Sequence, residues 1–516
     1  MRYFPEIIRV LDRFREKRVE TLDGAFRRRT DDKAFLLYDG IRTGIFGNDS
    51  VAAGSLYQTR PNDPRYTTLK ARLKIRLLNS LFHLNLRKAG FSESAQAEYS
   101  AKKRAFLIHT LVRLGARKAA VSLAKRNLDE ATKYEITDIG YEMALLLRTN
   151  AGINARLAEY ESYDQILKGF LANLNDEAVA WEYFDRQQII LGRYAGGRAR
   201  FAPQFLEYAL HLRSLLRGES SFTFRLNYYR VLGNALGAAG KHMERVAEMD
   251  GALMYLRSIP HLAQPARLAE FKLQQVDSFL RVRRYEEAEK AAEECLTLFN
   301  AVTISWFTLR ELQFVILTNR LRFLDALDIY LEVTSHQIFP NLPEAMLERW
   351  RIYEYYLHYA FEKTGTPEAA RELRMRFKVD TLMQMVPMAG RDKVGMNVAL
   401  RILQIIYLLE GARFKDIFDR MESLNLYRAR YLVAKSSKAS SIFLKMLRIM
   451  EANSFGFERS RRQAARYYHQ LQTETFEIVD SEMELEILPF TWLWDRILER
   501  LEAIENNYEL RMTNDG

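Results

Sequence analysis

Histidine, cysteine and paired acidic residues are the types in this chain that could carry out chemistry, and their spacing decides whether they can. The sequence has eight histidines and one cysteine, Cys295. No two histidines stand at the spacing of zinc ligands, and no Cys/His cluster occurs. Cys295 falls on the apolar face of a predicted helix, which indicates a buried thiol. The sequence therefore predicts no metal site, no cofactor and no catalytic centre, and a protein that is not an enzyme.

Two glycine-rich stretches have the composition of phosphate-binding loops without the other residues of such loops. Residues 38–64 contain four glycines, but they lack the lysine and hydroxyl group of a P-loop. Residues 233–242 read GNALGAAGKH, with His242 where a P-loop has serine or threonine. We expect the first stretch to be a loop or a partly ordered connector, and the second to form part of a helical hairpin.

The net positive charge of the chain is concentrated in one stretch. Residues 64–128 contain fifteen basic and two acidic residues, a local net charge of +13 against +11 for the whole protein. Leucines from Leu69 to Leu84 recur every three or four residues, which predicts a helix whose bases lie off the apolar stripe. Basic side chains on adjacent helices can bind an acidic protein surface or phosphates. The candidate partner-binding residues in this stretch are Arg72, Lys74, Arg76, Lys102, Lys103 and Arg104.

Residues 267–299 predict the kind of element that positions these side chains. Phe271, Val276 and Phe279 share one face of a first helix, and Ala288 and Cys295 share one face of a second. The chain is 48% hydrophobic, has few glycines and prolines, and shows no alternating strand pattern. These features predict an all-α fold. A hairpin of this kind cannot bury its apolar stripe alone, so it requires copies of itself on either side.

This hairpin resembles the tetratricopeptide-repeat family. Phe279, Tyr285 and Ala288 match an aromatic residue late in the first helix, an aromatic residue at the turn and an alanine early in the second helix. The alanine-equivalent position recurs at residues 120, 155, 245, 288, 326, 369 and 417, at intervals of 35 to 48 residues once one blurred unit is placed between 155 and 245. The resemblance implies an α-solenoid, a superhelix of antiparallel helical hairpins, over residues 64–425.

Changes in composition divide the sequence into three segments. Residues 1–60 are predicted to form an N-terminal helix and the glycine-rich connector, residues 64–425 the repeat array, and residues 426–516 the C-terminal helices. From Glu474 to Glu505 there are ten acidic and two basic residues. Trp492, Trp494 and Ile497 supply an apolar anchor, so we expect this region to cap the solenoid core with an acidic helix.

The resemblance also implies a function. It indicates a non-catalytic scaffold or adaptor that presents its groove to a protein or peptide. Polar side chains on the first helix of each hairpin line the groove in many such arrays, which suggests Arg104, Asn227, Lys272 and Arg310 as partner-binding residues. The local positive charge favours an acidic partner.

Other functions remain open at this point. The basic face of residues 65–126 could bind nucleic acid, or the protein could be a regulatory or sensor subunit with a peptide or small ligand in the groove. The oppositely charged ends of the chain could self-associate, and the basic face could also simply be solvated. A membrane surface is not expected as a partner, because the basic helices belong to the array.

The sequence also gives an expectation for location. A single cysteine suits a reducing compartment. No apolar run approaches the 18 or so residues of a transmembrane helix, and the first residues lack the apolar core of a signal peptide. These observations predict a cytoplasmic protein.

Overall fold

A computed structural model describes residues 3–14, 32–82, 84, 86, 91–193, 198–299, 302–365, 368, 377–385, 395–431, 438–473 and 486–514. Within these ranges the fold is all-α, with 22 α-helices and no β-strand. The chain divides into two compact units, Met1–Ala172 and Asn173–Gly516. In each unit consecutive helices pack against their neighbours in sequence, the arrangement of an α-solenoid. The predicted fold class is confirmed, whereas the three predicted segments stay a prediction.

The first unit contains two groups of helices. Helices α1, α2 and α4 pack together around Leu37, Leu73 and Leu77, and α5, α6 and α7 pack in sequence. Alanines such as Ala101 and Ala124 are fully buried between α5, α6 and α7, so these helices can approach closely. The bounds are α1 (Phe4–Phe14), α2 (Lys33–Arg42), α3 (Asp49–Tyr57), α4 (Pro64–Leu81), α5 (Glu93–Arg113), α6 (Arg117–Lys133), α7 (Thr137–Ile153) and α8 (Leu157–Arg193), which continues past Ala172.

The second unit holds the largest hydrophobic core, around Phe314, Trp350, Tyr353 and Trp494. Successive helices from α9 to α16 pack against one another, and α18 packs on α16. The bounds are α9 (Arg198–Leu215), α10 (Phe222–Ala238), α11 (His242–Ser258), α12 (Pro265–Arg281), α13 (Tyr285–Leu296), α14 (Ile304–Asn319), α15 (Phe323–Ser335), α16 (Glu344–Thr364), α17 (Val379–Gln384), α18 (Gly395–Glu410), α19 (Phe414–Tyr431), α20 (Lys438–Ala452), α21 (Phe457–Thr473) and α22 (Phe490–Asn514).

The C-terminal helix α22 closes this core. It packs against α18, α20 and α21. Trp494 and Ile497 of the predicted apolar anchor are buried there together with Leu501, whereas Trp492 is only half-buried. Just before α22, the Glu486 carboxylate accepts a hydrogen bond of 2.6 Å from Arg283. Residues 474–485, which carry much of the predicted acidic cap, lie outside the described residues.

The same backbone turn joins helix to helix in both units. A residue with positive φ ends the first helix, and the next N–H donates to the carbonyl five residues earlier, which satisfies a helix-end acceptor. The turn residues are Gly115, Glu135, Ala155, Gly240, Arg283, Leu321, Ala412 and Ser454. Turns 115 and 155 are 40 residues apart, 240 and 283 are 43 apart, and 283 and 321 are 38 apart. The hairpin geometry repeats every 38 to 43 residues over these three intervals, whereas turns 155 and 240 are 85 residues apart and 321 and 412 are 91 apart.

Two glycines of α10 make room for polar side chains. A Cβ atom at Gly237 would lie 3.2 Å from the guanidinium carbon of Arg245, and one at Gly233 would clash with Oε1 of Gln274. Glycine at these positions lets both long side chains lie against the helix backbone. The stretch 233–242 therefore belongs to a helical hairpin, as predicted.

The expectation of a loop or connector over residues 38–64 was wrong for much of that stretch. It contains the end of α2 and all of α3. The Asn48 side chain accepts a hydrogen bond of 3.0 Å from the Val51 N–H, which caps α3. Gly40 lies inside α2, where a Cβ atom would meet the Phe46 ring at 2.3 Å. This glycine serves helix packing rather than chain flexibility.

Candidate interaction surface

Three of the predicted partner-binding residues lie on α4. Arg72 and Lys74 are exposed and Arg76 is half-buried, as expected for bases beside an apolar stripe. The Lys74 ammonium lies 5.4 Å from the centre of the Tyr3 ring. Leu73 and Leu77 point the other way, into the core of the first unit. The predicted apolar stripe of this helix is thus confirmed.

The three predicted bases of α5 have partners within the protein. Lys102 lies 2.6 Å from Glu98, and the hydrogen bond to this carboxylate raises the pKa of Lys102. Lys103 donates to the carbonyl oxygen of Phe82 at 2.7 Å. Arg104 forms an ion pair with Glu130 of α6. Arg104 therefore stabilises the packing of α5 on α6.

The predicted residues of the second unit are engaged in contacts between and within its helices. Asn227 is fully buried and accepts a hydrogen bond of 3.1 Å from Arg230. Lys272 pairs with Glu294 at 2.5 Å, and Arg310 pairs with Glu332 at 2.7 Å. Each of these two pairs joins the two helices of one hairpin. Asn227 was wrongly expected at the surface, because sequence periodicity alone does not show how deeply α10 is buried.

An apolar groove lies among α5, α6 and α7 in the first unit. Its volume is about 460 Å³, within the range of small-molecule and side-chain pockets. Helix α7, the first helix of its hairpin, forms the main wall with six lining residues, and α5 and α6 contribute two each. The residues that line it are His109, Val112, Arg117, Val121, Glu142, Leu145, Leu146, Thr149, Asn150 and Ile153.

Helical spacing explains why these residues converge. His109 and Val112 are three residues apart on α5, and the lining residues of α7 recur every three or four positions, so each set shares one helix face. Nε2 of His109 lies 3.2 Å from a carboxylate oxygen of Glu142, which joins the two walls. Ile153, at the end of α7, is 62% exposed. The result is an apolar cleft with one polar contact across it.

Three exposed basic side chains near the turn between α5 and α6 have no recorded partner among the described residues. Arg113, Arg117 and Lys118 are exposed, and the structure records no hydrogen bond or ion pair for their side chains anywhere in the described ranges. Arg117 lines the groove itself, and Arg113 stands one helical turn after His109 on α5. These three bases are therefore available to an acidic ligand, unlike Lys102 and Arg104.

Sequence reasoning did not identify this groove. It found the bases of α5 and α6, but the apolar lining comes mainly from α7, whose leucines looked like ordinary core residues. Leu145 and Leu146 are only half-buried. One signal of an exposed apolar surface was present in the sequence. Ile153 and Leu157 lie on either side of a turn, where polar residues are usual. Both are more than 60% exposed.

Cys295 and the metal-ligating residue types were also candidates for chemistry. Cys295 is fully buried, and burial raises its pKa to about 12, which makes it an inert thiol as predicted. In the described ranges no three His, Cys, Asp or Glu side chains are grouped to hold a metal ion. Helices long and apolar enough to cross a membrane are likewise absent from those ranges.

Comparison with known proteins gives no family and no function for this chain. The chain matches no family model, no curated protein and no solved structure.

Proposed function

We propose that this protein is a non-catalytic scaffold that docks an acidic, amphipathic peptide segment of another protein in the groove among α5, α6 and α7. The groove itself carries the proposal: it combines an apolar cleft of about 460 Å³ with three exposed bases that have no partner among the described residues. A bulky apolar side chain of the ligand occupies the cleft. Carboxylates beside it pair with Arg117 and its basic neighbours.

The hairpin geometry supports a tetratricopeptide-like array as the scaffold. Ala120, Ala288 and Ala326 are fully buried, and each follows its turn residue by five positions. A small residue at that position lets the second helix approach the first closely. Most of the residues that line the groove belong to α7, the first helix of its hairpin, and the resemblance places the peptide-binding face on first helices. We place this scaffold in the cytoplasm, in keeping with its single buried thiol.

The expected binding energies favour a ligand that combines a bulky apolar side chain with acidic groups. Burial of one bulky apolar side chain contributes roughly 1.5–3 kcal/mol. An exposed ion pair adds about 0.2–1 kcal/mol, so the bases contribute more to specificity and association rate than to affinity. A purely acidic peptide would therefore bind weakly, and a neutral apolar peptide would bind without selectivity.

The test begins with selection of short random peptides on the full-length protein. We expect the enriched peptides to combine bulky apolar residues with Asp or Glu. Fluorescence anisotropy with a labelled selected peptide then compares wild type with Ile153→Glu and Arg117→Glu. Ile153→Glu is expected to weaken binding about tenfold or more, because a charge replaces an apolar contact in the cleft. Arg117→Glu is expected to weaken binding less than Ile153→Glu does. The effect of Arg117→Glu should be larger at low salt than at high salt, because salt screens the lost charge interaction.

A matched control separates docking from general surface effects. Leu324 is 56% exposed in the second unit, similar to Ile153 at 62%, so Leu324→Glu makes the same change away from the groove. This variant is expected to bind like wild type. Selected peptides that bind all three variants as they bind wild type would refute the proposed docking site.

A further inference from the structure

Helix α4 carries a second apolar stripe, on the face opposite its buried one. Ile75, Leu78 and Phe82 are spaced three and four residues apart, so they align along one side of the helix. Their side chains are 58%, 39% and 44% exposed. Phe106 of α5 extends the stripe, since its ring centre lies 6.2 Å from that of Phe82 and it is 62% exposed. We call these four residues the α4–α5 ridge.

Basic side chains flank this ridge on both sides. On a helical projection Arg72 and Arg76 lie on one side of Ile75, and Lys74 lies on the other. Helix α4 contains five basic residues and no acidic residue. Near the Phe82–Phe106 contact, Lys103 adds a further half-exposed ammonium group. The surface is thus an apolar ridge with positive charge on both sides.

The ridge is held facing outwards by the packing beneath it. Tyr66, Leu73 and Leu77 are buried on the inner face of α4. The Tyr66 hydroxyl donates to Asp49 at 2.7 Å, and Lys70 pairs with the same carboxylate at 2.8 Å. Rotation of α4 would expose these residues and break both contacts. The apolar ridge therefore cannot be buried by a turn of its own helix.

We propose that the α4–α5 ridge docks on an anionic membrane surface. This proposal reverses the expectation from the sequence, which did not show that this apolar face of α4 is exposed. Its four apolar side chains enter the boundary between headgroups and acyl chains, and the flanking bases contact lipid phosphate and carboxylate groups. Apolar residues on one face with Lys and Arg at its edges are the arrangement of interfacial helices. Juxtamembrane bases gain further from the negative surface potential of anionic lipids.

The shape and chemistry of the ridge favour a lipid surface over the other anionic ligands. The ridge is exposed along one helix face and has bases on both sides of it, which suits a broad planar surface. Two of its four apolar side chains, Ile75 and Leu78, are aliphatic and cannot stack on nucleic-acid bases as aromatic side chains do. This second surface uses different residues from the groove among α5, α6 and α7, so it stands independently of the peptide-docking proposal.

Vesicle flotation of the full-length protein provides the test. The probes are phosphatidylcholine vesicles with and without about one third phosphatidylserine. We expect wild type to float with the anionic vesicles and not with the neutral ones, and to be released by salt. Ile75→Glu, Phe106→Glu and Arg72→Glu are each expected to weaken the partitioning about tenfold or more, with unchanged far-UV circular dichroism and melting temperature.

Two control variants match these changes in chemistry. Arg126→Glu reverses an exposed charge on α6, and Leu324→Glu adds the same charge at an exposed apolar residue of the second unit. Both are expected to float like wild type. Absence of flotation at low salt, equal binding to neutral vesicles, or equal loss in the controls would overturn the proposal. So would tight binding of labelled single-stranded RNA that Arg72→Glu abolishes and Ile75→Glu leaves intact.

Discussion

Asp277 of α12 joins two buried guanidinium groups, and its replacement should destabilise the second unit strongly. Its carboxylate oxygens lie 2.8 Å from Arg245 and 2.8 Å from Arg281. The three side chains are 20%, 11% and 4% exposed, respectively. Asp277→Asn preserves the shape of the side chain and removes the negative charge that the two bases share.

The size of the effect follows from this burial. Removal of one partner from a buried ion pair costs about 3–5 kcal/mol, because the remaining charge keeps its desolvation penalty. Since Asp277 retains some contact with solvent, we expect about 3 kcal/mol. The exposed pair Arg413–Asp416, with side chains 54% and 44% exposed, provides the control. Asp416→Asn should change the free energy of unfolding by less than about 0.5 kcal/mol.

Urea unfolding followed by tryptophan fluorescence measures this change in the relevant unit. All five tryptophans lie in the second unit, at positions 181, 306, 350, 492 and 494. A free energy of unfolding for Asp277→Asn within 0.5 kcal/mol of wild type would refute the reasoning. So would equal effects of the Asp277 and Asp416 variants.

The pH dependence gives a second criterion for the same variant. Burial opposes ionisation of Asp277, but the positive charges of Arg281 and Arg245 outweigh it and hold its pKa well below the usual range. A carboxylate with a lowered pKa in the folded state contributes stability above its unfolded pKa, near 3.9, and loses it as the pH falls. The difference between wild type and variant should therefore be constant from pH 5 to 8 and shrink below pH 4.

Three further predictions concern other parts of the fold. Trp494→Ala in α22 should cost about 3–5 kcal/mol in urea unfolding, since Trp494 is 1% exposed; a loss below 1 kcal/mol would contradict its role as the anchor of that helix. Hydrogen bonds from Lys70 and Tyr66 overcome burial and hold the pKa of Asp49 at about 2. Asp49→Asn should therefore destabilise the first unit by roughly 1–2 kcal/mol at neutral pH and by less as the pH falls from 4 to 2. The loss should appear in far-UV circular dichroism with tryptophan fluorescence unchanged, and a shift in both signals would contradict it. Cys295 should resist a thiol reagent at pH 8 until urea unfolds the protein, and rapid labelling of the native state would contradict its burial.

The sequence predicts the hairpin register closely where a small residue marks it. The alanine-equivalent positions 245, 288, 326 and 417 each follow an observed turn residue by five positions, and so does Ala120. Ala155 was assigned to the same role, but it is itself the turn residue, with φ of 54°. The equivalent position there is Tyr160. This residue is large and 37% exposed, whereas the pattern requires a small, buried residue. Position 369 lies outside the described residues.

Arg245 shows how the fold accommodates a departure from the pattern. A large base stands where other hairpins have alanine, and it remains buried because Gly237 faces it and Asp277 pairs with it. The glycines of α10 explain this only once the three-dimensional contact is known. Sequence periodicity shows which face of a helix a residue lies on. It does not show which residue of a neighbouring helix that residue contacts.

The sequence predicted the positive charge of the candidate surfaces. It did not predict which bases are paired or which apolar side chains are exposed. The bases of α4 to α6 follow directly from the composition of residues 64–128. Which of them pair internally depends on contacts such as Arg104 with Glu130, 26 residues apart in the chain. The α4–α5 ridge was hidden for another reason: Ile75 and Leu78 lie next to the core leucines in sequence, and only the packing shows which stripe of the helix is buried.

Hydrogen–deuterium exchange tests most directly whether the groove among α5, α6 and α7 docks a peptide. The exchange of the full-length protein would be measured alone and with a saturating selected acidic peptide, and again for Ile153→Glu. Peptide docking in this groove predicts slower exchange confined to residues 109–153 in wild type, and no such protection in the variant. Protection of other helices with residues 109–153 unchanged, or equal protection in Ile153→Glu, would contradict it.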